Sequence, residues 1–341
     1  MTKHAAVIGD GGWGTALAMI LNENGYSVTV WGPFPDYIDN IRKTRENDRF
    51  LPNVKLPEQI KWTSDKSEAV DKADIIVLAI PTKYYAAVVS SFAEQIGESP
   101  DIVSVAKGLD QESHLRMSEV AETLLHHPVA VLSGPSHAEE VARGIPTAVC
   151  VASADFVRTV RLQTAFSNRH FRVYTADDPP GVELGGALKN VIAIAVGVSD
   201  GLGFGDNTRA ALITRGLAEM TRLGCSMGAK PETFAGLSGM GDLIVTCTSR
   251  LSRNRSIGER IGKGEALNVI LGNMKMAAEG VWNCASARAL AIQNKVEVPI
   301  TNEVYAIVHM GKSPHDAVVS LLEREVKPEN DNSASIQYLS E

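Results

Sequence analysis

Ala5-Ala6-Val7-Ile8-Gly9-Asp10-Gly11-Gly12-Trp13-Gly14 decides how the chain is read. The apolar run Ala5–Ile8 reads as a buried strand, and Gly9–Gly14 fits G-x-G-x-x-G. A helical pattern over Gly14–Asn24 follows. In that context Gly9 permits a tight turn and Gly11 lets the backbone approach a pyrophosphate. Gly14 lets helix and strand touch. The free N–H groups at the helix start then face an anion. A Gly-rich turn that only packs is the plainer alternative. Such a fold expects an acid about 20 residues further on, at the end of the second strand, to hold the ribose. That strand ends Thr29-Val30-Trp31-Gly32-Pro33, with neither an acid nor an Arg. Asp36 and Arg42 lie beyond it, so NAD and NADP both stay open.

Outward from this loop, short Val- and Ile-rich runs alternate with helical patterns. Further strands are expected at Ser27–Trp31, Asp74–Ile80, Asp101–Ala106, Val129–Ser133, Thr147–Ala152 and Phe171–Tyr174, with a helix at Leu115–His126. Runs lacking polar alternation suit strands buried on both faces of a parallel α/β sheet. Asp177-Asp178-Pro179-Pro180 is a turn and a boundary. Beyond it only helical patterns are expected, at Gly181–Ser199, Thr208–Leu223, Lys230–Ala235, Asn254–Gly262, Ser286–Asn294, Asn302–Val308 and His315–Leu322. The expected architecture is an N-terminal Rossmann-type dinucleotide-binding domain (1–180), an all-helical domain (181–330) and a frayed tail (331–341).

Composition bounds the function. A length of 341 residues fits about two domains. Thirty-three Lys and Arg against 40 Asp and Glu give a net charge of −7, which argues against a general nucleic-acid binder. The four cysteines are scattered without a C-x-x-C pair, so no zinc ribbon, metal site or disulfide framework is expected. The apolar run Val191–Val198 falls short of the roughly 20 residues that cross a bilayer. No signal-peptide pattern is legible, and a cytoplasmic protein without membrane insertion is expected.

Two lysines and an acid carry candidate chemistry. Lys107 follows a buried strand and precedes Gly108, at the strand end where open α/β sheets bind ligands. A solvated surface Lys is the alternative. Lys189 shares its helix face with Gly185, Gly186, Ile192 and Ala193, none of them polar. Burial there would pull its pKa toward neutrality and suit it to exchange a proton with an alcohol or ketone. Snorkelling to water is the alternative. Asp242, in Gly239-Met240-Gly241-Asp242, could pair with Lys189 or cap the next helix. Ser252-Arg253-Asn254-Arg255 puts two guanidiniums at a probable helix start, which suits a phosphate. A solvated basic turn is the alternative, and an RNA contact is disfavoured by the net charge.

Taken together, several motifs resemble bacterial-type NAD(P)-dependent glycerol-3-phosphate dehydrogenase. They are Gly-Gly-Trp-Gly-Thr-Ala-Leu-Ala (11–18), Ala-Lys-Gly (106–108), Ser-Gly-Pro-Ser-His-Ala (133–138) and Glu-Leu-Gly-Gly-Ala-Leu-Lys-Asn (183–190). Asp-Gly-Leu-Gly-Phe-Gly-Asp-Asn (200–207), Gly-Leu-Ser-Gly-Met-Gly-Asp-Leu (236–243) and Ser-Arg-Asn-Arg (252–255) complete the series, in family order. The resemblance implies reversible reduction of dihydroxyacetone phosphate by NADH or NADPH to sn-glycerol 3-phosphate, which feeds phospholipid synthesis, in a homodimer.

By the same resemblance Lys189 is the proton donor or acceptor, Lys107 a second contact to substrate and cofactor, and Asp242 the orienting carboxylate. Gly134, Ser136, Asn190, Thr246, Ser252, Arg253 and Asn254 would line or neighbour the substrate. Gly12, Trp13, Tyr84, Ala138, Arg253 and Glu279 would contact the dinucleotide. Pro33 and Phe34 stand where relatives often carry His or Arg. Two other readings compete: a β-hydroxyacid dehydrogenase relative, which has no need of the 252–255 cluster, and a non-catalytic dinucleotide sensor, which has no need of converging lysines.

Overall fold

The computed structural model describes residues 2–274, 278–326 and 328–329. The tail expected to fray, 331–341, lies outside the described residues. The strands are β1 (His4–Ile8), β2 (Ser27–Trp31), β3 (Glu46–Asn47), β4 (Leu51–Lys55), β5 (Lys61–Thr63), β6 (Ile75–Leu78), β7 (Asp101–Ser104), β8 (Val129–Ser133), β9 (Thr147–Ala152) and β10 (Phe171–Ala176). Eight of them form one sheet in the order β10-β9-β8-β7-β6-β1-β2-β5.

The sheet is covered on both faces. Ala5 and Val7 of β1 belong to one apolar core, and Ala6 and Ile8 to the other. This is the period-2 consequence of a strand whose residues are all apolar. Between β1 and its neighbour β6 the strand order reverses, and ligands of such sheets sit in the crevice at that point. Gly9 turns there with φ +123°, and a Cβ on it would strike the Ala79 carbonyl just after β6.

The sheet departs from the expectation of parallel strands throughout. β9 pairs antiparallel with β8, so β9 and β10 run against the other six. The chain between β8 and β9 holds one turn of helix, Ala138–Val141, and a reversal needs no long crossover. Strand composition carries no direction, so the sequence could not show this. The hairpin β3–β4 and the edge strand β5 were also not anticipated. Pro52 interrupts β4, and β5 has three residues, so neither presents a strand pattern.

Among the described residues, the chain after β10 is helical. Its axis is the helix Pro179–Gly201. Asp178 caps it, accepting from the Gly181 N–H at 3.0 Å, and Pro179 and Pro180 occupy its first turn, where their missing N–H groups cost nothing. Leu184, Leu188 and Ile192 face one apolar core, and Val191, Ile194 and Val198 another. By length and apolarity this helix could span a bilayer, contrary to the estimate from Val191–Val198. Its apolar stretch is wholly buried inside the protein.

The sequence pattern missed the π-helical turn Leu237–Gly241, the helix Asp242–Thr248 that continues from it, and the short helix Leu267–Gly272. Three glycines within Gly236–Gly241 weaken any helical signal there.

Candidate active site

The strand β7 carries Lys107 out of the sheet, the loop after β8 carries Gly134 and Ser136, and Pro179–Gly201 carries Lys189. The π-helical turn delivers Asp242. These segments are far apart in sequence and meet at one carboxylate. Asp242 is 1% exposed. Its Oδ1 accepts from Lys189 Nζ, and its Oδ2 accepts from Lys107 Nζ at 2.9 Å. Asp242 is therefore not spent as a helix cap.

Lys189 is 5% exposed, in the middle of an apolar helix. Its Nζ also donates to Thr246 Oγ1 at 2.8 Å, and that hydroxyl donates to the Asp242 carbonyl at 2.6 Å. An ammonium carries three donors, so two are held and one remains to be directed at a ligand. Burial pulls its pKa down to about 7, opposed by the Asp242 carboxylate and assisted by the charge of Lys107.

Lys107 is fixed by three acceptors: Asp242, the Gly134 carbonyl at 2.8 Å and Ser136 Oγ at 3.2 Å. Its backbone carbonyl accepts from Asn190 Nδ2 at 3.2 Å. Asn190 Oδ1 accepts from Asn254 Nδ2 at 3.0 Å, and Asn254 Oδ1 accepts from the Gly280 N–H at 3.1 Å. The polar chain thus runs from Lys107 to the backbone at Gly280, in the first turn of the helix that Glu279 begins. Glu279 receives the N–H of Thr82 at 3.2 Å and its hydroxyl, tying the start of the helix Glu279–Asn294 to the loop after β6.

The basic cluster divides. Ser252 caps the helix Arg253–Gly262, accepting from the Arg255 N–H at 3.3 Å. Arg253 is exposed on its first turn, within electrostatic reach of Glu139 and Glu279. Arg255, expected to share a phosphate, turns away and pairs with Asp200 at 2.7 Å and Glu259 at 3.4 Å. Its stem leaves the helix on another face, which adjacent numbering does not reveal.

The glycine loop fits a dinucleotide. A Cβ on Gly14 would strike the Gly9 carbonyl, so helix and loop touch there, whereas one on Gly11 would meet nothing within 4 Å. The helix Gly12–Glu23 begins at Gly11 with no side-chain cap, so its first N–H groups are left to an anion. A Cβ on Gly12 would strike the Phe50 carbonyl and lie 3.6 Å from the Ala138 side chain, and Trp13 packs on Phe171 with ring centroids 6.2 Å apart. Tyr84 is exposed in the first turn of Thr82–Ser90, with Lys83 5.5 Å from its ring centre. No described contact joins it to the lysine pair.

Sequence reasoning gives no role to three participants. Thr82 holds Glu279. Asn283 binds the Ala187 carbonyl at 3.1 Å and receives the Leu109 N–H at 3.3 Å. His137, between Ser136 and Ala138, has a covered Nε2 without a described partner, and burial and the two lysines push its pKa down. His137 lay inside a quoted motif, but nothing in its spacing pointed to chemistry. Asn283 has no signal in sequence.

The models of the NAD-dependent glycerol-3-phosphate dehydrogenase N-terminus and C-terminus match residues 4–157 and 178–319. A glycerol-3-phosphate dehydrogenase [NAD(P)+] of Citrifermentans bemidjiense is 48% identical over 96% of this chain and 99% of its own length. One from Syntrophotalea carbinolica is 49% identical over 96% of this chain and 100% of its own. The crystal structure of a glycerol-3-phosphate dehydrogenase from Coxiella burnetii superposes with a TM-score of 0.91. It is 40% identical and covers 95% of this chain and 99% of its own. A glycine loop built for a dinucleotide, a buried lysine–aspartate–lysine bridge and these matches along both halves agree: the chain belongs to the NAD-dependent glycerol-3-phosphate dehydrogenase family.

Proposed function

We propose that Lys189 is the group that exchanges the proton in the reaction of this family, with Asp242 and Lys107 arranging its charge. The enzyme is an NAD(P)-dependent sn-glycerol-3-phosphate dehydrogenase that reduces dihydroxyacetone phosphate reversibly. The observation that carries the assignment of roles is the single Asp242 carboxylate shared by Lys189 and Lys107.

The cofactor, when bound, supplies the hydride that reaches the substrate carbonyl carbon. The protein must stabilise the negative charge that develops on the substrate oxygen and then protonate it. Lys189 has one donor to offer that oxygen and a pKa of about 7, close to the value at which a group gives and takes protons equally well. Lys107 adds a fixed positive charge nearby. Asp242 bonds both ammoniums, offsets one of their two charges and prevents Lys189 from rotating away. Ser136, Asn190, Thr246 and Asn254 surround the pair through the hydrogen bonds described, and Gly134 supplies the carbonyl that fixes Lys107. Arg253 and the helix start after Ser252 are the groups that would hold the substrate phosphate, orienting the ketone by binding remote from the reacting centre. Gly9, Gly11, Gly12, Trp13, Gly14, Ala138, Glu279 and Tyr84 are assigned to the dinucleotide side.

Wild-type protein mixed with dihydroxyacetone phosphate and NADH, then NADPH, should consume the reduced nicotinamide, read by its absorbance. Unphosphorylated dihydroxyacetone should react far more slowly at equal concentration. Absence of turnover with both cofactors would remove the reading.

The chain end of β10 and the Pro179–Pro180 start support a division into a cofactor domain (1–180) and a helical substrate domain (181–330). A homodimer is proposed from the family resemblance, to be tested by sedimentation. Four free thiols, Cys150, Cys225, Cys247 and Cys284, support a reducing, cytoplasmic setting.

A further inference from the structure

The ribose-binding acid of dinucleotide folds stands at the end of the second strand. Here β2 is followed by Gly32, which has no side chain. A Cβ on Gly32 would lie 2.6 Å from Asp10 Oδ2 and 2.7 Å from its Cγ. The carboxyl of Asp10, the second residue of the glycine motif, therefore occupies the space that a β2-terminal side chain would enter.

Asp10 is 7% exposed, and its Oδ2 is covered with no hydrogen-bond partner among the described residues. The backbone around it is firmly held. Asn47 Nδ2 donates to its carbonyl at 2.7 Å, and also to Thr15 Oγ1 at 2.8 Å. A pinned, buried carboxyl with an unused acceptor is costly unless a ligand supplies the donor. None of the hydrogen bonds described for Lys107 and Lys189 reaches it.

We propose that Asp10 is the ribose-reading acid of this chain, supplied from the glycine loop instead of from β2, and that it makes NADH the preferred cofactor. It accepts from the adenosine 2′-hydroxyl and repels a 2′-phosphate. The inference rests on the dinucleotide site assigned above.

One group opposes it. Arg49 is exposed, with its guanidinium 4.5 Å from the Tyr37 ring centre and 5.8 Å from that of Phe50. Burial raises the Asp10 pKa to about 6, and Arg49 lies close enough to oppose that rise, so the carboxyl carries its charge above that pH. Arg49 could attract a 2′-phosphate, but it is solvated and Asp10 is not, so the carboxylate is the less screened charge.

The test is calorimetric titration of the intact chain with NADH and with NADPH, alongside kcat/KM for each. Wild type should bind NADH at least about tenfold more tightly, a modest effect for like charges at close range. Asp10→Asn keeps the shape and removes the charge, and should narrow that gap about tenfold by improving NADPH. Asp10→Ser should act in the same direction, and guards against one variant failing to fold. NADPH binding as tightly as NADH to wild type would overturn the proposal. So would an unchanged ratio in both folded variants, or an Arg49→Gln variant that alone reverses the preference. Binding of neither cofactor would overturn the dinucleotide site itself, a result distinct from equal binding of both.

Discussion

The Lys189 ammonium donates to Oδ1 of Asp242, and both side chains are almost completely buried. A buried charge is tolerated only where it is paired, and here the pair has a surplus, because Lys107 bonds the other oxygen. The cluster carries one negative and two positive charges when both lysines are protonated. That surplus suits a substrate oxygen on which negative charge develops.

The pH dependence follows from Lys189. Its folded pKa is lowered to about 7, so it is protonated below that pH and neutral above. Reduction of the ketone needs the protonated form. kcat for reduction should therefore fall as pH rises through about 7, and kcat for glycerol 3-phosphate oxidation should rise over the same range. Paired pH profiles in the two directions check this.

Asp242→Asn tests the bridge. The carboxylate favours protonated Lys189, so its removal moves the basic limb of the reduction profile to lower pH. At neutral pH, kcat should drop by roughly 10²-fold or more. A reduced rate with an unmoved limb would show a role confined to packing.

Arg253 and Arg255 should separate cleanly. Arg253→Ala is expected to raise KM for dihydroxyacetone phosphate about 10- to 100-fold, the loss of a charge-assisted contact, with little change for unphosphorylated dihydroxyacetone. Arg255→Ala removes one of the two arginines that pair with Asp200, Arg209 being the other, and should lower the unfolding midpoint while sparing KM. Steady-state kinetics and thermal melts on both variants distinguish them.

Glu183 anchors the lysine helix to the sheet domain. It is buried and accepts from the Ser118 N–H at 2.8 Å, the Ser118 hydroxyl at 2.6 Å and Arg116 at 2.9 Å. Glu183→Ala strands the buried Ser118 N–H and leaves Arg116 with Glu119 as its carboxylate partner, and should cost about 1–3 kcal/mol of stability, read by denaturant unfolding.

Much of this is legible in the sequence. β1, the glycine motif and β2 have local signatures: an apolar run, fixed glycine spacing and a helix start. Lys189 was legible as an anomaly, a charge on an apolar helix face. The convergence on Asp242 was not, because the residues lie 53 and 135 positions from it and no periodicity encodes contact at that distance. Arg255 misled because neighbours in sequence diverge on a helix. The reversal of β9 escaped because apolar strands read alike in either direction. Asp10 is not legible because the glycine motif leaves that position open, and its contact with Gly32 is made only in the folded chain.

Lys189 handles the proton. The most direct measurement is kcat for dihydroxyacetone phosphate reduction by Lys189→Met at pH 7 with saturating reduced cofactor, on protein whose melt shows a folded chain. A fall of about 10³-fold or more is predicted, since a general acid and a charge at the developing oxyanion are lost together. Turnover within tenfold of wild type would show that Lys189 does not carry the proton.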